Sequence, residues 1–158
     1  MKYIPEIFST VNTYSNEQNP CSPENPGITW RGILLNAPKE IILSPLEDSV
    51  VIPICGFYQL DLSKMQQSEG LKFVVSIAEP KGSFSGFMID SDPNHDAPNP
   101  DEKPVDPKDL VGMSTSTYFN LNLLTYVKFP AIAGEYRVFA DYAGSRSNIL
   151  NFKISIKN

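Results

Sequence analysis

The residues best suited to chemistry lie in one segment, residues 90–109, which reads DSDPNHDAPNPDEKPVDPKD. Oxygen-bearing side chains occupy positions 1, 3, 5, 7 and 12 of this segment, namely Asp90, Asp92, Asn94, Asp96 and Asp101. This spacing is similar to that of a calcium loop, in which carboxylate and amide oxygens surround a hard cation. His95 stands where such a loop has glycine, and prolines 93, 98 and 100 restrict its wrapping. Calcium binding by these residues is therefore one hypothesis, and a solvated loop is the simpler alternative.

The same segment carries the net charge of the whole chain. Its seven carboxylates and two lysines give −5, which equals the net charge of the 158-residue protein, so the remainder of the chain is neutral. An acidic surface on a neutral protein favours a basic partner or a cation and argues against nucleic-acid binding. We therefore predict that this acidic loop contacts a basic protein. The candidate binding residues within it are Asp92, Asp96, Asp101 and Asp106.

Two aromatic residues before the acidic segment are further candidates for partner binding. The stretch GSFSGFMID, residues 82–90, contains Phe84 and Phe87 followed by Met88 and Ile89. Aromatic side chains and methionine are enriched in the cores of protein interfaces. The alternative is that these residues continue a buried strand, which is the commoner position of such side chains.

Residues for catalysis are scarce in this sequence. His95 is the only histidine, and it lies among aspartates and prolines rather than in a rigid element that would position a base. GSFSG at residues 82–86 has Phe84 where a nucleophile elbow has serine, and no glycine-rich phosphate-binding motif occurs. We therefore predict a protein that is not an enzyme. A pair of carboxylates assembled from distant strands is left as an alternative.

Composition predicts a single soluble globular domain. The chain is 41% hydrophobic and 20% charged, and its 14 prolines and 9 glycines favour many turns over long helices. Cys21 and Cys55 form a disulfide if the chain meets an oxidising compartment, and with a single histidine they do not suggest a zinc site. The first 20 residues lack the apolar core of a signal peptide, and no apolar run of about 20 residues occurs. We expect a cytoplasmic protein without a membrane span, and we leave export by another route open.

Short strands separated by proline and glycine make up most of the pattern. LKFVVSIAEP, residues 71–80, alternates apolar and smaller or polar side chains, as a strand with one buried face does. TYFNLNLLTYVKF, residues 117–129, is predicted as one strand with asparagines on its solvent face, and residues 133–157 as a terminal hairpin. DSVVIPICGFYQLDL, residues 48–62, is predicted as a strand kinked or bulged at Pro53 and Gly56.

Domain organisation follows from the same pattern. Residues 1–27 are predicted as an extended or weakly ordered N-terminal arm, because residues 12–27 mix asparagine, serine and proline without periodicity. Residues 28–158 are predicted as the domain, with Pro38 and Pro45 marking edge strands. Six to eight short strands favour an all-β antiparallel sandwich, with a closed barrel as the alternative.

The end of the chain resembles the last two strands of immunoglobulin-like and fibronectin-III-like domains. The stretch is FPAIAGEYRVFADYAGSRSNILNFKISI, residues 129–156, in which Gly134 and Tyr136 form a Gly-x-Tyr step. The resemblance implies an immunoglobulin-like sandwich in which Tyr136 forms a tyrosine corner, its hydroxyl bonding to the backbone a few residues upstream. Val138 stands where the second immunoglobulin cysteine falls.

These observations favour a non-enzymatic protein-binding module. It would recognise a partner through loops at one end, as a small inhibitor or immunity-type protein does. A calcium-dependent adhesive or carbohydrate-binding domain is the second hypothesis. The third is a structural subunit whose N-terminal arm adds a strand to a neighbour.

Overall fold

The computed structural model describes residues 6–9, 11–44, 50–65, 69–78, 81–88, 108 and 111–157. Within these residues the chain is all-β, as predicted. The strands are β1 (Tyr14–Ser15), β2 (Gly32–Asn36), β3 (Glu40–Leu43), β4 (Pro53–Asp61), β5 (Lys72–Ile77), β6 (Gly82–Phe87), β7 (Ser114–Asn122), β8 (Gly134–Tyr142), β9 (Ser145–Arg146) and β10 (Leu150–Ile156). The helices are single turns, α1 (Glu6–Ser9), α2 (Leu62–Met65) and α3 (Leu123–Tyr126). No helix among the described residues is long and apolar enough to cross a bilayer.

The strands form two sheets. One has four strands in the order β1-β7-β4-β2, and the other has the order β3-β10-β8-β5-β6, with β9 added beside β8. All described neighbours are antiparallel except β3 and β10, which are parallel. Both β2 and β3, which flank Pro38, are edge strands, in agreement with the prediction; Pro45 lies outside the described residues.

One apolar core combines buried side chains from both sheets. Strand β5 contributes Phe73, Val75 and Ile77, and the predicted alternation of buried and exposed side chains along it is confirmed. The terminal hairpin is confirmed as well, with buried residues alternating along β8 and β10. From the four-stranded sheet, Ile54 and Phe119 join the same cluster with no more than 1% of their surface exposed. Burial of these faces is the main force that holds the sheets together.

Strand β4 corrects one prediction. It is paired with β7 without interruption from Pro53 to Asp61, so the predicted bulge or kink at Gly56 is wrong. Gly56 is needed for another reason: the ring of Phe119 lies directly on its backbone, and a β-carbon there would overlap that ring. Pro53 begins the strand, a position at which the missing N–H costs little.

Strand β7 corrects a second prediction. It ends at Asn122, and the next residues form α3 instead of continuing the strand. The Asn122 side chain accepts a hydrogen bond from the Leu124 N–H (3.2 Å) and caps this turn, which explains the break. Asn120, predicted on a solvent face, is only 3% exposed. It is covered because the N-terminal segment packs over the outer face of the four-stranded sheet.

That segment is attached to the sheet at several points. Strand β1 pairs with β7, the Asn19 side chain donates to Asn120 Oδ1 (2.9 Å), and a disulfide joins Cys21 to Cys55. Both cysteines are fully buried in a second small cluster with Phe8. The described part of the predicted arm is therefore packed against the body of the protein. The domain boundary at residue 28 stays a prediction.

Candidate functional site

The acidic candidate residues lie outside the described part of the chain. These residues are Asp90, Asp92, Asn94, Asp96, Asp101 and Asp106. Calcium binding and contact with a basic partner by this segment therefore stay predictions. Within the described ranges, no group of three or more histidine, cysteine or acidic residues is arranged to hold a metal ion.

Phe84 and Phe87 lie on opposite faces of the edge strand β6. Phe84 faces the core, where its ring centroid is 6.4 Å from that of Phe129. Phe87 lies on the outer face, opposite Lys72, whose ammonium group is 6.0 Å from the ring centroid. The two aromatic residues therefore do not form one surface, and partner binding by either stays a prediction.

Several connections meet at one end of the two sheets, which we call the loop end. Strand β4 finishes there at Asp61, opposite Ser114 at the start of β7. Helix α2 then leads to β5, which starts at Lys72 opposite Asp141 of β8. Near this end the rings of Tyr58 and Tyr142 pack edge to face with centroids 5.4 Å apart, which joins the two sheets.

The described residues that flank the acidic segment are both attached at the loop end. Before the segment, the Met88 N–H donates to the carbonyl oxygen of Leu71 (2.8 Å), just ahead of β5. After it, the carbonyl oxygen of Met113 accepts from the Leu62 N–H (3.0 Å), just after β4. The described residues on the two sides of the acidic segment therefore lie at the same end of the sheets.

Three large apolar side chains are exposed on connections at this end. Ile28 is 86% exposed, Val111 74% and Met113 50%. Strands β2 and β7, which follow these residues, are both neighbours of β4, so the two connections are separated by about 10 Å, two strand spacings. Clustered apolar side chains at a surface, rimmed by polar residues, mark interaction sites in soluble proteins.

Hydrogen bonds hold the Ile28 connection in place. The Gln59 side chain, only 5% exposed, donates from Nε2 to the carbonyl oxygens of Gly27 (2.8 Å) and Trp30 (2.7 Å). Arg31 donates to the carbonyl oxygen of Ile28 (2.8 Å) and forms an ion pair with Asp61 (2.9 Å). The exposed position of Ile28 is therefore set by a bonded turn.

The other charged groups described at this end are largely paired with one another. Asp61 also lies 3.9 Å from the ammonium group of Lys64. Arg146 donates from two nitrogens to Asp141 (2.8 and 3.1 Å) and stacks over Phe139, 4.3 Å from the ring centroid. The hydrogen bond and the charge of Asp141 raise the pKa of Arg146 above its ordinary value. Among these described groups three cations therefore share two carboxylates, whereas residues 90–109 of the sequence carry a net charge of −5.

Sequence reasoning missed Ile28, Val111 and Met113. A signal was present, because Ile28 directly follows Gly27 and Val111 directly precedes Gly112. Both glycines have positive φ angles, +124° and +83°, which indicate turns. Large apolar residues beside turn glycines are exposed unless another element covers them, and sequence alone does not show what covers a turn.

No protein-family model, no curated protein and no solved structure shows significant similarity to the chain.

Proposed function

We propose that this chain is a non-enzymatic protein-binding module, an immunoglobulin-like β-sandwich that holds a basic protein partner at the loop end. The observation that carries the proposal is the exposure of Ile28, Val111 and Met113 at the end where the acidic segment is also attached. Apolar side chains supply contact area at the centre of such an interface. Negative charge around them accelerates association with a basic partner and selects against acidic ones.

The order of the strands supports the immunoglobulin-like assignment. An immunoglobulin constant domain has strands A, B, E and D in one sheet and C, F and G in the other. The order β2-β4-β7 corresponds to A-B-E, with β1 of the N-terminal segment in the place of D. The order β10-β8-β5 corresponds to G-F-C, with β6 as the additional C′ strand of variable domains.

The environment of Tyr136 supports the same assignment. Its hydroxyl accepts a hydrogen bond from the Ile132 N–H (3.1 Å) and lies 3.0 Å from the carbonyl oxygen of Pro130, to which it can donate. This is the bonding that the resemblance implied for a tyrosine corner at the start of strand F. By this correspondence the loop end is the end that carries the antigen-binding loops of variable domains. The location of the exposed apolar residues there favours partner binding.

The disulfide bears on the compartment in which the chain works. Disulfides persist in oxidising compartments and are rare in the cytosol. Because Cys21 and Cys55 are bonded, we favour an oxidising compartment over the cytoplasmic location expected from the N-terminal sequence. To distinguish the two locations, native protein from cytosolic and exported samples is treated with a thiol-specific alkylating reagent before reduction. Free thiols that react support the cytoplasmic location, whereas thiols that react only after reduction support an oxidising compartment.

Capture of partners by the immobilised chain tests the proposal. One variant carries Ile28→Ser, Val111→Ser and Met113→Ser, and a second carries Asp96→Asn, Asp101→Asn and Asp106→Asn. We expect either variant to lose most of the captured basic protein while the melting temperature stays close to that of the wild type. The matched control is Ile132→Ser with Ile156→Ser, which replaces side chains that are 41% and 42% exposed but lie away from the loop end.

The proposal is contradicted if the loop-end variants and the control capture the same proteins in the same amounts. It is also contradicted if capture by the wild type does not weaken with added salt, because contact between the acidic segment and a basic surface is screened by ions.

A further inference from the structure

A basic groove lies on the outer face of the six-stranded sheet, across β5, β8 and β10. Its volume is about 630 Å³, and its charged lining residues are Lys39, Lys81, Glu135, Arg137 and Lys153. Four cations and one carboxylate give the groove a net charge of +3. This is a concentration of positive charge on a protein whose net charge is −5. We call it the basic groove.

Arg137 occupies the centre of the groove without an acidic partner. On β8 it lies between Ser76 of β5 and Asn151 of β10, both of which line the groove with polar side chains. No carboxylate in the described part of the chain lies within the 4.0 Å ion-pair distance of its guanidinium group. A guanidinium flanked by hydroxyl and amide groups is suited to binding a carboxylate with two parallel hydrogen bonds.

The groove and the loop end are at opposite ends of the sheet. The groove surrounds the end of β5 at Ile77 and the start of β8 near Glu135, whereas the loop end contains Lys72 and Tyr142. Eight residue steps along β8 separate Gly134 from Tyr142, which is about 27 Å of strand. The molecule therefore has a basic groove at one end and the attachment of its acidic segment at the other.

We propose that the basic groove binds the acidic segment, residues 90–109, of a second copy of this chain, so that copies associate head to tail. The head-to-tail association rests on the proposed function in one respect, namely that the acidic segment is a binding surface. The basic partner of the acidic segment is then the basic groove of a second copy. A contact between two different surfaces of the same chain is heterologous, and it propagates into a ring or a filament.

The distribution of charge in the groove favours this occupant over a uniformly charged polyanion. Lys153 lies in the sheet between Glu135, which lines the groove, and Glu40, which lies beside it on β3, so carboxylates in and beside the groove are interspersed with the cations. A densely sulfated or phosphorylated chain would be repelled by those carboxylates. The acidic segment mixes seven carboxylates with Lys103 and Lys108, so its own cations can face Glu135 in the groove and Glu40 beside it.

Sedimentation velocity over a range of protein concentrations tests this inference with three variants of the full chain. The groove variant carries Arg137→Glu and Lys153→Glu, and the segment variant carries Asp96→Asn, Asp101→Asn and Asp106→Asn. The control carries Lys128→Glu and Lys157→Glu, which makes the same charge change as the groove variant at exposed residues outside the groove and away from the loop end. Thermal unfolding of each variant confirms that it is folded.

We expect the wild type to form oligomers that grow with concentration and dissociate with added salt. The dissociation constant for association between copies should be about tenfold or more higher for the groove variant than for the wild type, whereas for the control it should differ by no more than about twofold. The groove and segment variants should each be monomeric alone. When mixed they should form a one-to-one dimer, because one supplies an intact acidic segment and the other an intact groove.

A wild type that stays monomeric at every concentration overturns the inference, as does a mixture of the two variants that stays monomeric. If the acidic segment bound the groove of its own chain, the sedimentation coefficient would not depend on protein concentration. The expected growth of oligomers with concentration therefore excludes binding within one chain. The proposed function fails separately, because it is tested by capture of other proteins: a monomeric wild type whose partner capture still requires Asp96, Asp101 and Asp106 would overturn only the head-to-tail association.

Discussion

Removal of the Cys21–Cys55 disulfide should destabilise the protein by about 3.8 kcal/mol. The bond joins residues separated by 34 positions, and the loss of chain entropy in the unfolded state for a loop of that length amounts to about 3.8 kcal/mol at 25 °C. The bond also attaches the N-terminal segment to β4, so Phe8 and the cluster around the cysteines should become exposed with it. The perturbation is the double variant Cys21→Ala with Cys55→Ala, compared with the oxidised wild type, in which the bond is intact.

Urea unfolding followed by tryptophan fluorescence gives the free energy of unfolding for both forms. Trp30 is a suitable probe because it stacks with Phe57 of β4, the strand that carries Cys55, with ring centroids 6.1 Å apart. Limited proteolysis should show faster cleavage within residues 19–27 of the variant, while the core between the sheets stays intact. A loss of stability below about 1 kcal/mol, with unchanged proteolysis, would refute the reasoning, because a 34-residue closure would then impose no constraint on the unfolded chain.

Three further predictions concern the core. Tyr136→Phe removes the hydroxyl that bonds to Ile132 and should lower the free energy of unfolding, measured by urea denaturation, by about 1–3 kcal/mol. A decrease below about 0.5 kcal/mol would contradict this hydrogen bonding. Burial raises the pKa of Tyr136 above 10.0, against a smaller lowering by its Ile132 hydrogen bond. The unfolded chain therefore releases this proton at lower pH than the folded chain does. The free energy of unfolding should keep its full value below about pH 10 and fall as the pH rises above about 10, and it should fall less steeply in Tyr136→Phe. An equal fall of the unfolding free energy with pH in the two proteins would oppose this. Gly86→Ala would place a β-carbon on the backbone oxygen of Tyr126, so it should lower the melting temperature and the free energy of unfolding, the latter by about 1–3 kcal/mol. The control Ser85→Ala, on the same strand, should have little effect. Similar melting temperatures for the two variants would argue against that close contact.

The elements that were predicted well are those with a local pattern. Strand β5 and the terminal hairpin alternate apolar and polar side chains because one face of each is buried and the other is open. The hydrogen bonding of Tyr136 was implied by the resemblance of the Gly-x-Tyr step to immunoglobulin-like domains, and that step also lies within a few residues. Such features can be predicted because the residues that determine them are neighbours in the chain.

The elements that were predicted poorly depend on residues far away in sequence. Gly56 resembles a strand breaker until the Phe119 ring is placed on its backbone, and Asn120 resembles a solvent-facing residue until Asn19 is placed over it. The strand predicted through residue 129 ends at Asn122, whose side chain both accepts from the Ile52 N–H (3.0 Å) and caps α3. In each case a contact across the fold overrides the local pattern.

The candidate surfaces differ in the same way. The charge of the acidic segment is evident from the sequence because its seven carboxylates all lie within residues 90–109, whereas the basic groove combines cations from positions 39, 81, 137 and 153. Likewise, Ile28 and Met113 belong to segments 85 positions apart, and only the pairing of β2 and β7 with β4 brings them to one end.

The amino-acid sequence by itself determined the all-β class, the strands with one buried face and the net charge of −5 concentrated in residues 90–109. These are properties of composition and short-range periodicity. The tertiary structure decided that Cys21 bonds to Cys55, that the N-terminal segment covers the four-stranded sheet, and that the basic groove and the acidic segment's attachment lie at opposite ends. Strand order and register determine which distant residues become neighbours, and that choice depends on the packing of the whole chain rather than on any local pattern.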